Sequence, residues 1–464
     1  MSATIESTLQ QFNWEVQPAA ARWLTRAVEV LADRNPAIDR LGGLLRAETG
    51  TRLRDWIDHI SIGDDEFARL RGELGEVGYV AETNGPQTVW RQPHGMFPPV
   101  LVEAGRVGIG VRCDAVETCV TGLPQLLKLP AVDTREVLGA EGGPFRRACL
   151  STQDGVGLWI IERHGHASFE SRDVPPQQIE AAARRLAAFR ARERRFHSYV
   201  EGFRHASAEF ADAAADLGTA WACDLFFQAE REYWQRRNTA GRVQYERQNR
   251  LGLGWANHDH HTYRSSRAAF TQLIATLEQM GFQCRERFYA GREAGWGAQV
   301  LEQPQCRLVI FADVDLSAEE LAGDFAHEPL PQREALGTVG LWCELHGEAF
   351  LEAGMHHLEC QFDFDSERDQ LAAAGVETMA PFTNFPFLRQ AFTRGEMWRV
   401  DPERIERLRA EGRITAEQAE RFGREGALGS HLEILERNEG YKGFNQTGVS
   451  DIISRTDPRR VIGA

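Results

Sequence analysis

Histidines and acidic residues on short apolar runs are where this chain could do chemistry. His260 falls within His258 to Arg264, His357 within Met355 to Asp363 and Glu433 within His431 to Glu436, three stretches that read as separate strands. Two neutral imidazoles and one carboxylate gathered on one side of a metal ion leave its other side open. That is the arrangement of non-haem Fe(II) enzymes in which O2 and substrate take the free positions. Strand alternation sends His260, Thr262 and Arg264 to one face and His261 and Tyr263 to the other. Arg264 then lies beside the metal, where a guanidinium can grip a carboxylate through two parallel bonds. His431 shares a face with Glu433, so it either lines the site or stands behind a ligand. Periodicity leaves His356 against His357, and Glu433 against Glu436, open. Arg264 as a buried ion-pair residue is the competing reading of that position.

The elements that would carry these residues recur along the chain. Residues up to about Arg54 read as helical, broken at Asp33-Arg34-Asn35-Pro36. Short apolar runs with turn residues follow: a strand at Trp56 to Ile62, a helix from Phe67 to Glu76, and strands at Val89-Trp90-Arg91, Val100-Leu101-Val102, Val107 to Arg112 and Gly157 to Glu162. Gln177 to Arg247 is rich in Arg, Glu and Ala and predicts two or three helices with solvated charged faces. Strand and helix alternate again from Gly252. A helical insertion is predicted over about Phe385 to Glu425, with Asp401-Pro402 as a helix start.

The two halves match in order. Asp58-His59 corresponds to Asp259-His260, and Phe67…Gly78-Tyr79 to Phe270…Gly281-Phe282 at the same spacing. Val89 to Pro93 corresponds to Val300 to Pro304, Val100 to Val102 to Val309 to Phe311, and Leu158 to Arg163 to Leu432 to Arg437. This order predicts an internal duplication. Trp159 stands where the second half has Glu433, and Gly108 to Arg112, matching the His357 stretch, has no histidine. Only His59 remains, so the first half is expected to be structural and the second active.

Asp259-His260-His261-Thr262-Tyr263-Arg264, with the helix to Gly281-Phe282, resembles the first metal-bearing strand of the vicinal oxygen chelate superfamily. More specifically, residues of about 252–459 resemble the 2-oxoadipate dioxygenase/decarboxylase (hydroxyglutarate synthase) family. The shared elements are Asp259-His260…Arg264, His356-His357, Leu432 to Arg437, Gly443-Phe444 and Ile452-Ile453-Ser454-Arg455-Thr456. The N-terminal half and the Arg-rich segment match nothing in that family, and His356 replaces its usual Asn.

The resemblance implies an α+β fold of two βαβββ barrel halves: residues 1–175 as helices plus a degenerate half, 176–250 as a helical bridge, and 251–464 as the metal-bearing half. It implies His260, His357 and Glu433 as metal ligands, Arg264 as the substrate-carboxylate clamp and Fe(II) as the metal. The implied partners are a 2-oxo acid and O2, and the implied reaction is oxidative decarboxylation with hydroxylation, as from 2-oxoadipate to 2-hydroxyglutarate. A glyoxalase-type lyase or isomerase, an extradiol dioxygenase, or a non-catalytic binding protein of the same fold are the alternatives.

Composition narrows the field from the other side. Lys+Arg 53 against Asp+Glu 68 makes the chain acidic at −15, which argues against nucleic acid as a partner. Lys128 and Lys442 are the only lysines, and neither follows a glycine, so no Walker-type phosphate loop exists and a lysine Schiff base is disfavoured. The eight cysteines form no C-x-x-C. With no apolar run long enough for a membrane span and no signal-like N-terminus, a cytoplasmic enzyme with free thiols is expected, and a homo-oligomer is left open.

Overall fold

Two sheets organise the chain in the computed structural model, which describes residues 14–63, 67–84, 87–133, 136–444 and 457–459. The helices α1 (Pro18–Arg34), α2 (Ala37–Thr49) and α3 (Leu53–Trp56) lead into β1 (Ile57–Ile62), α4 (Ala68–Gly72), β2 (Val80–Asn84), β3 (Gln87–Arg91) and β4 (Val100–Val102). A second unit follows: β5 (Val107–Cys113), α5 (Val116–Leu126), β6 (Phe145–Gln153) and β7 (Val156–Arg163). Their strands make one seven-stranded sheet, ordered β2-β3-β4-β1-β5-β7-β6.

Four helices come next: α6 (Pro176–Ala191), α7 (Tyr199–Leu217), α8 (Thr219–Gln235) and α9 (Thr239–Asn249). The second half then repeats the first: β8 (His258–Arg264), α10 (Phe270–Gln279), β9 (Gln283–Tyr289), β10 (Trp296–Gln303) and β11 (Leu308–Asp315). After α11 (Thr338–His346) come β12 (His357–Gln361), α12 (Phe364–Ala373), β13 (Thr383–Phe385), β14 (Leu388–Phe392), β15 (Glu396–Trp398), α13 (Pro402–Ala410), α14 (Ala416–Glu425) and β16 (Ala427–Arg437). The nine-stranded sheet runs β13-β14-β16-β12-β8-β11-β10-β9, with β15 on β16.

This is the duplicated α+β design expected from the sequence, with a further level inside it. Each half is itself two modules of one strand, a helix and an antiparallel run. The first and last strands of every module lie parallel: β1 with β4, β5 with β7, β8 with β11 and β12 with β16. The two modules of a half join antiparallel through their first strands, β1 to β5 and β8 to β12.

Two expectations change. The Arg-rich segment is four helices, and their inner faces are not solvated. Phe203, Phe210, Trp221, Phe226 and Phe227 pack into the same core as Leu273, Val300, Ile310 and Leu432. Each such side chain contributes roughly 1.5–3 kcal/mol by leaving water. The charge count of the segment hid an apolar stripe that its outer Arg and Glu residues flank. The insertion also begins later. Leu388, Gln390, Ala391 and Phe392 are buried on β14 and Arg389 is half-buried, so a strand covered on both faces runs through a stretch expected to be helical. Helix starts at Pro402, where the Asp401 side chain accepts from the Glu403 amide as the Asp-Pro pair predicted.

Candidate metal centre

One cavity of about 70 Å³ gathers the second half's chemistry. Phe288 on β9 and Gln390 on β14, near opposite ends of the sheet order, both line it, so the sheet wraps around this space. His260, Thr262 and Arg264 enter it from β8, as alternation required. His261 and Tyr263 turn the other way, against Phe227 of α8. The Tyr263 hydroxyl donates to the buried Glu230 carboxylate at 3.2 Å, which pins the outer face of β8 to that helix.

His357 lines the cavity and His356 does not. His356 Nδ1 donates to the Gly429 carbonyl at 2.7 Å, and its ring stands edge-on to Trp342. Glu433 likewise lines the cavity, while Glu436 accepts from the Phe364 amide at 2.8 Å. His431 stands behind the cavity wall. Its Nδ1 donates to the Thr393 carbonyl at 3.1 Å, and its ring lies 5.1 Å from that of His357.

The structure adds Glu359, a residue that sequence reasoning missed. Strand register places it directly opposite His260 on one side and beside Glu433 on the other. Donor atoms of His260, Glu359 and Glu433 lie within 4.8 Å of one another. Glu359 Oε1 lies 3.8 Å from His260 Nε2 and 3.3 Å from His357 Nδ1. The signal was available: Glu359 is two residues from His357 and so shares its face.

The surroundings fit a divalent cation. His260 Nδ1 donates to Asp259 at 2.8 Å, which leaves Nε2 as a lone pair facing inward. Asp259 is held by both arms of Arg437, at 2.9 and 3.1 Å, and its carboxyl is pulled far below the ordinary range. Thr262 donates to Glu359 at 2.9 Å and Gln390 to Glu433 at 2.7 Å. Glu359 Oε2 and His357 Nε2 are buried with no hydrogen-bond partner. Burial, and for Glu359 also the neighbouring Glu433, push both carboxyls up, Glu433 to about 8. Two buried carboxylates and two imidazoles with no cation among them are the condition that a bound metal relieves.

Arg264 closes the far end. It is 2% exposed, and its Nε and Nη1 have no partner. Burial lowers its pKa to about 10. Asp313, also in the cavity wall, is pushed up to about 8 by burial against the pull of Arg264. Phe288, Trp296, Phe311, Phe392 and Phe444 form the apolar part of the wall. The Ile452 to Thr456 stretch of the family resemblance lies outside the described residues.

The first half keeps the support and lacks the donors. Asp58 accepts from His59 Nδ1 at 2.8 Å and from Arg163 at 2.9 Å, as Asp259 does from His260 and Arg437. Phe169 stands edge-on to His59 at 5.0 Å, as Phe444 does to His260 at 5.1 Å. Yet the row that reads His260-Glu359-Glu433 reads His59-Gly110-Trp159 here. A Cβ on Gly110 would lie 2.7 Å from His59 Cε1, so the imidazole fills the space of the missing side chain.

No family model and no curated protein matches the chain. Among solved structures it is similar to methylmalonyl-CoA epimerase from Mycobacterium tuberculosis, at 13% identity over 39% of this chain and 88% of that one, with a TM-score of 0.23. A triple variant of 4-hydroxymandelate synthase from Streptomyces coelicolor aligns at 11% identity over 87% of this chain and 96% of the other, with a TM-score of 0.27. A fusion of a xylose isomerase-like TIM barrel with 4-hydroxyphenylpyruvate dioxygenase aligns at 10% identity over 88% of this chain and 52% of the other, with a TM-score of 0.23. The fold assignment therefore stands on the element order and strand register of the chain itself.

Proposed function

We propose that the second half is a metalloenzyme site in which His260, His357, Glu359 and Glu433 hold a divalent ion and Arg264 binds the carboxylate of a small organic acid. The observation that supports it most directly is the pairing within one cavity of a carboxylate-imidazole cluster lacking a cation and a buried guanidinium with two unbonded nitrogens, faced by Asp313. A metal-chelating acid supplies what each end lacks.

By its resemblance to the 2-oxoadipate dioxygenase/decarboxylase family, the reading is an Fe(II)-dependent dioxygenase that decarboxylates and hydroxylates a 2-oxo acid. A ferrous ion there would supply O2 activation on an open coordination face. The protein's own contribution is positional. Arg264 orients the acid through its fork of N–H donors. Asp259, backed by Arg437, holds His260 in the tautomer that turns Nε2 inward. Phe288, Phe311 and Phe444 give the reacting end an apolar lining.

Glu359 favours a second reading. Two carboxylates make a harder, more negative donor set than the expected two histidines and one carboxylate, and such a set suits a redox-neutral Lewis acid of lyase or isomerase type. Anaerobic loading with Fe(II), followed by O2 uptake and CO2 release over a panel of 2-oxo acids including 2-oxoadipate, separates the two. Stoichiometric uptake and release support the dioxygenase. Metal-dependent turnover without O2 supports the lyase or isomerase, and failure to bind any divalent metal overturns both.

A further inference from the structure

A second cavity, of about 50 Å³, lies where the two halves and α8 meet. Arg112, Arg163 and His164 reach it from the first half, Arg231 from α8, and His258 and Arg307 from the second half. Asp114 and Asp224 line it as well, so in a chain of charge −15 the cations outnumber the carboxylates in this wall.

The carboxylates within reach are already engaged. Asp58 accepts from Arg163 at 2.9 Å and Arg307 at 3.0 Å. Asp224 and Glu162 bracket His164 at 2.8 and 3.2 Å. Asp114 accepts from the Trp255 amide at 2.8 Å. Arg112 and Arg231 have no ion pair within 4 Å among the described residues, although Arg112 feels Asp58 and Arg231 feels Asp114. Arg231 is 7% exposed with an unpartnered Nη1, and Arg112 has an unpartnered Nε. Buried guanidinium groups are ordinarily paired, because desolvating a charge with no counter-charge is costly. His258 adds an acceptor. Its Nδ1 donates to the Trp255 carbonyl at 2.9 Å, so the unpartnered Nε2 carries a lone pair into the same region.

We propose that this junction cavity binds a small oxyanion that also carries a hydroxyl, of the hydrogen-phosphate or 2-hydroxycarboxylate kind. The guanidinium groups of Arg112 and Arg231 take the anionic oxygens, and His258 Nε2 accepts from the hydroxyl. The volume exceeds what a single water needs and suits a group of this size. Arg307, with its side chain 27% exposed, marks the way in. The site is separate from the metal cavity and does not depend on the function proposed for it.

Thermal unfolding of the full-length protein, titrated with potassium phosphate and in parallel with potassium glycolate against potassium chloride at matched ionic strength, tests this. The expected result is a melting temperature that climbs with at least one of the two oxyanions above the chloride control. Arg112→Gln and Arg231→Gln should each need about tenfold more of that anion or beyond, the scale of one lost charge-assisted hydrogen bond. Which anion acts identifies the source. The same rise in an Arg264→Met background, which removes the guanidinium of the metal cavity, shows that that cavity is not responsible. No rise above chloride, or an unchanged half-saturating concentration in the variants, overturns the proposal. Should Arg231→Gln not fold, the partly exposed Arg112→Gln gives the same readout.

Discussion

Glu359 faces His260 across the β8–β12 pairing, with 3.8 Å between its Oε1 and the imidazole Nε2. Of the expected donors, His260 and Glu433 close around this second carboxylate, whereas His357 reaches Glu359 at 3.3 Å but groups with His356 and His431. Glu359→Ala and Glu433→Ala should each weaken divalent-metal binding by more than about 100-fold, above the scale for loss of an outer-sphere residue. Asp259→Asn, which touches His260 only from behind, should cost about 10- to 100-fold. Equilibrium dialysis with metal analysis checks all three. Full metal occupancy in Glu359→Ala would restrict the centre to the remaining three residues.

Arg264 has a different expected signature. Arg264→Met should leave metal content unchanged and raise KM for the acid by about 10- to 100-fold, the loss of charge-assisted bonds from one guanidinium. Steady-state kinetics on metal-loaded protein gives the answer. A loss confined to kcat would place Arg264 away from the ground-state carboxylate.

The first half should respond as scaffold. His59→Ala is expected to leave turnover nearly unchanged. Asp58→Ala should lower stability by about 3–5 kcal/mol, because it strands the buried Arg163 and removes the anchor of Arg307. Urea denaturation of the two variants beside activity assays distinguishes these roles.

A pH dependence belongs to His164. Burial disfavours its charge, but the Asp224 and Glu162 carboxylates overcome this and raise its pKa from 6.5 to about 10. The folded state binds this proton more tightly than the unfolded chain. The resulting stability is fully present below pH 6.5 and is lost as pH rises through about 10. The gap in unfolding free energy between the native protein and His164→Gln should therefore be largest near pH 6 and shrink by pH 10, measured by urea denaturation along that range.

The duplication was legible because it rests on order: Leu158 to Arg163 and Leu432 to Arg437 do fall on equivalent strands, β7 and β16. Alternation on β8 was legible for the same reason, since His260, Thr262 and Arg264 obey a two-residue period. Register was not. Nothing local in His356-His357-Leu358-Glu359 says which residue stands opposite His260, because that depends on how β12 slides against β8. The burial of α8 was hidden too. Asp224, Glu230 and Arg231 are buried polar residues that read as a solvated face until the groups opposite them are known. Arg192 and Arg194 meet Glu230 from a segment far off in sequence, beyond any helical period.

Asp58 bears on the unity of the molecule. Its counterpart Asp259 serves a donor histidine, whereas Asp58 serves His59, which has no carboxylate donors beside it, and also takes Arg307 from the other half. The first copy serves as a socket for the second. The second half is accordingly not a detachable cassette: cut away from residues 1–175, it would present a bare Arg307 and an open flank along the start of β8, two residues from His260.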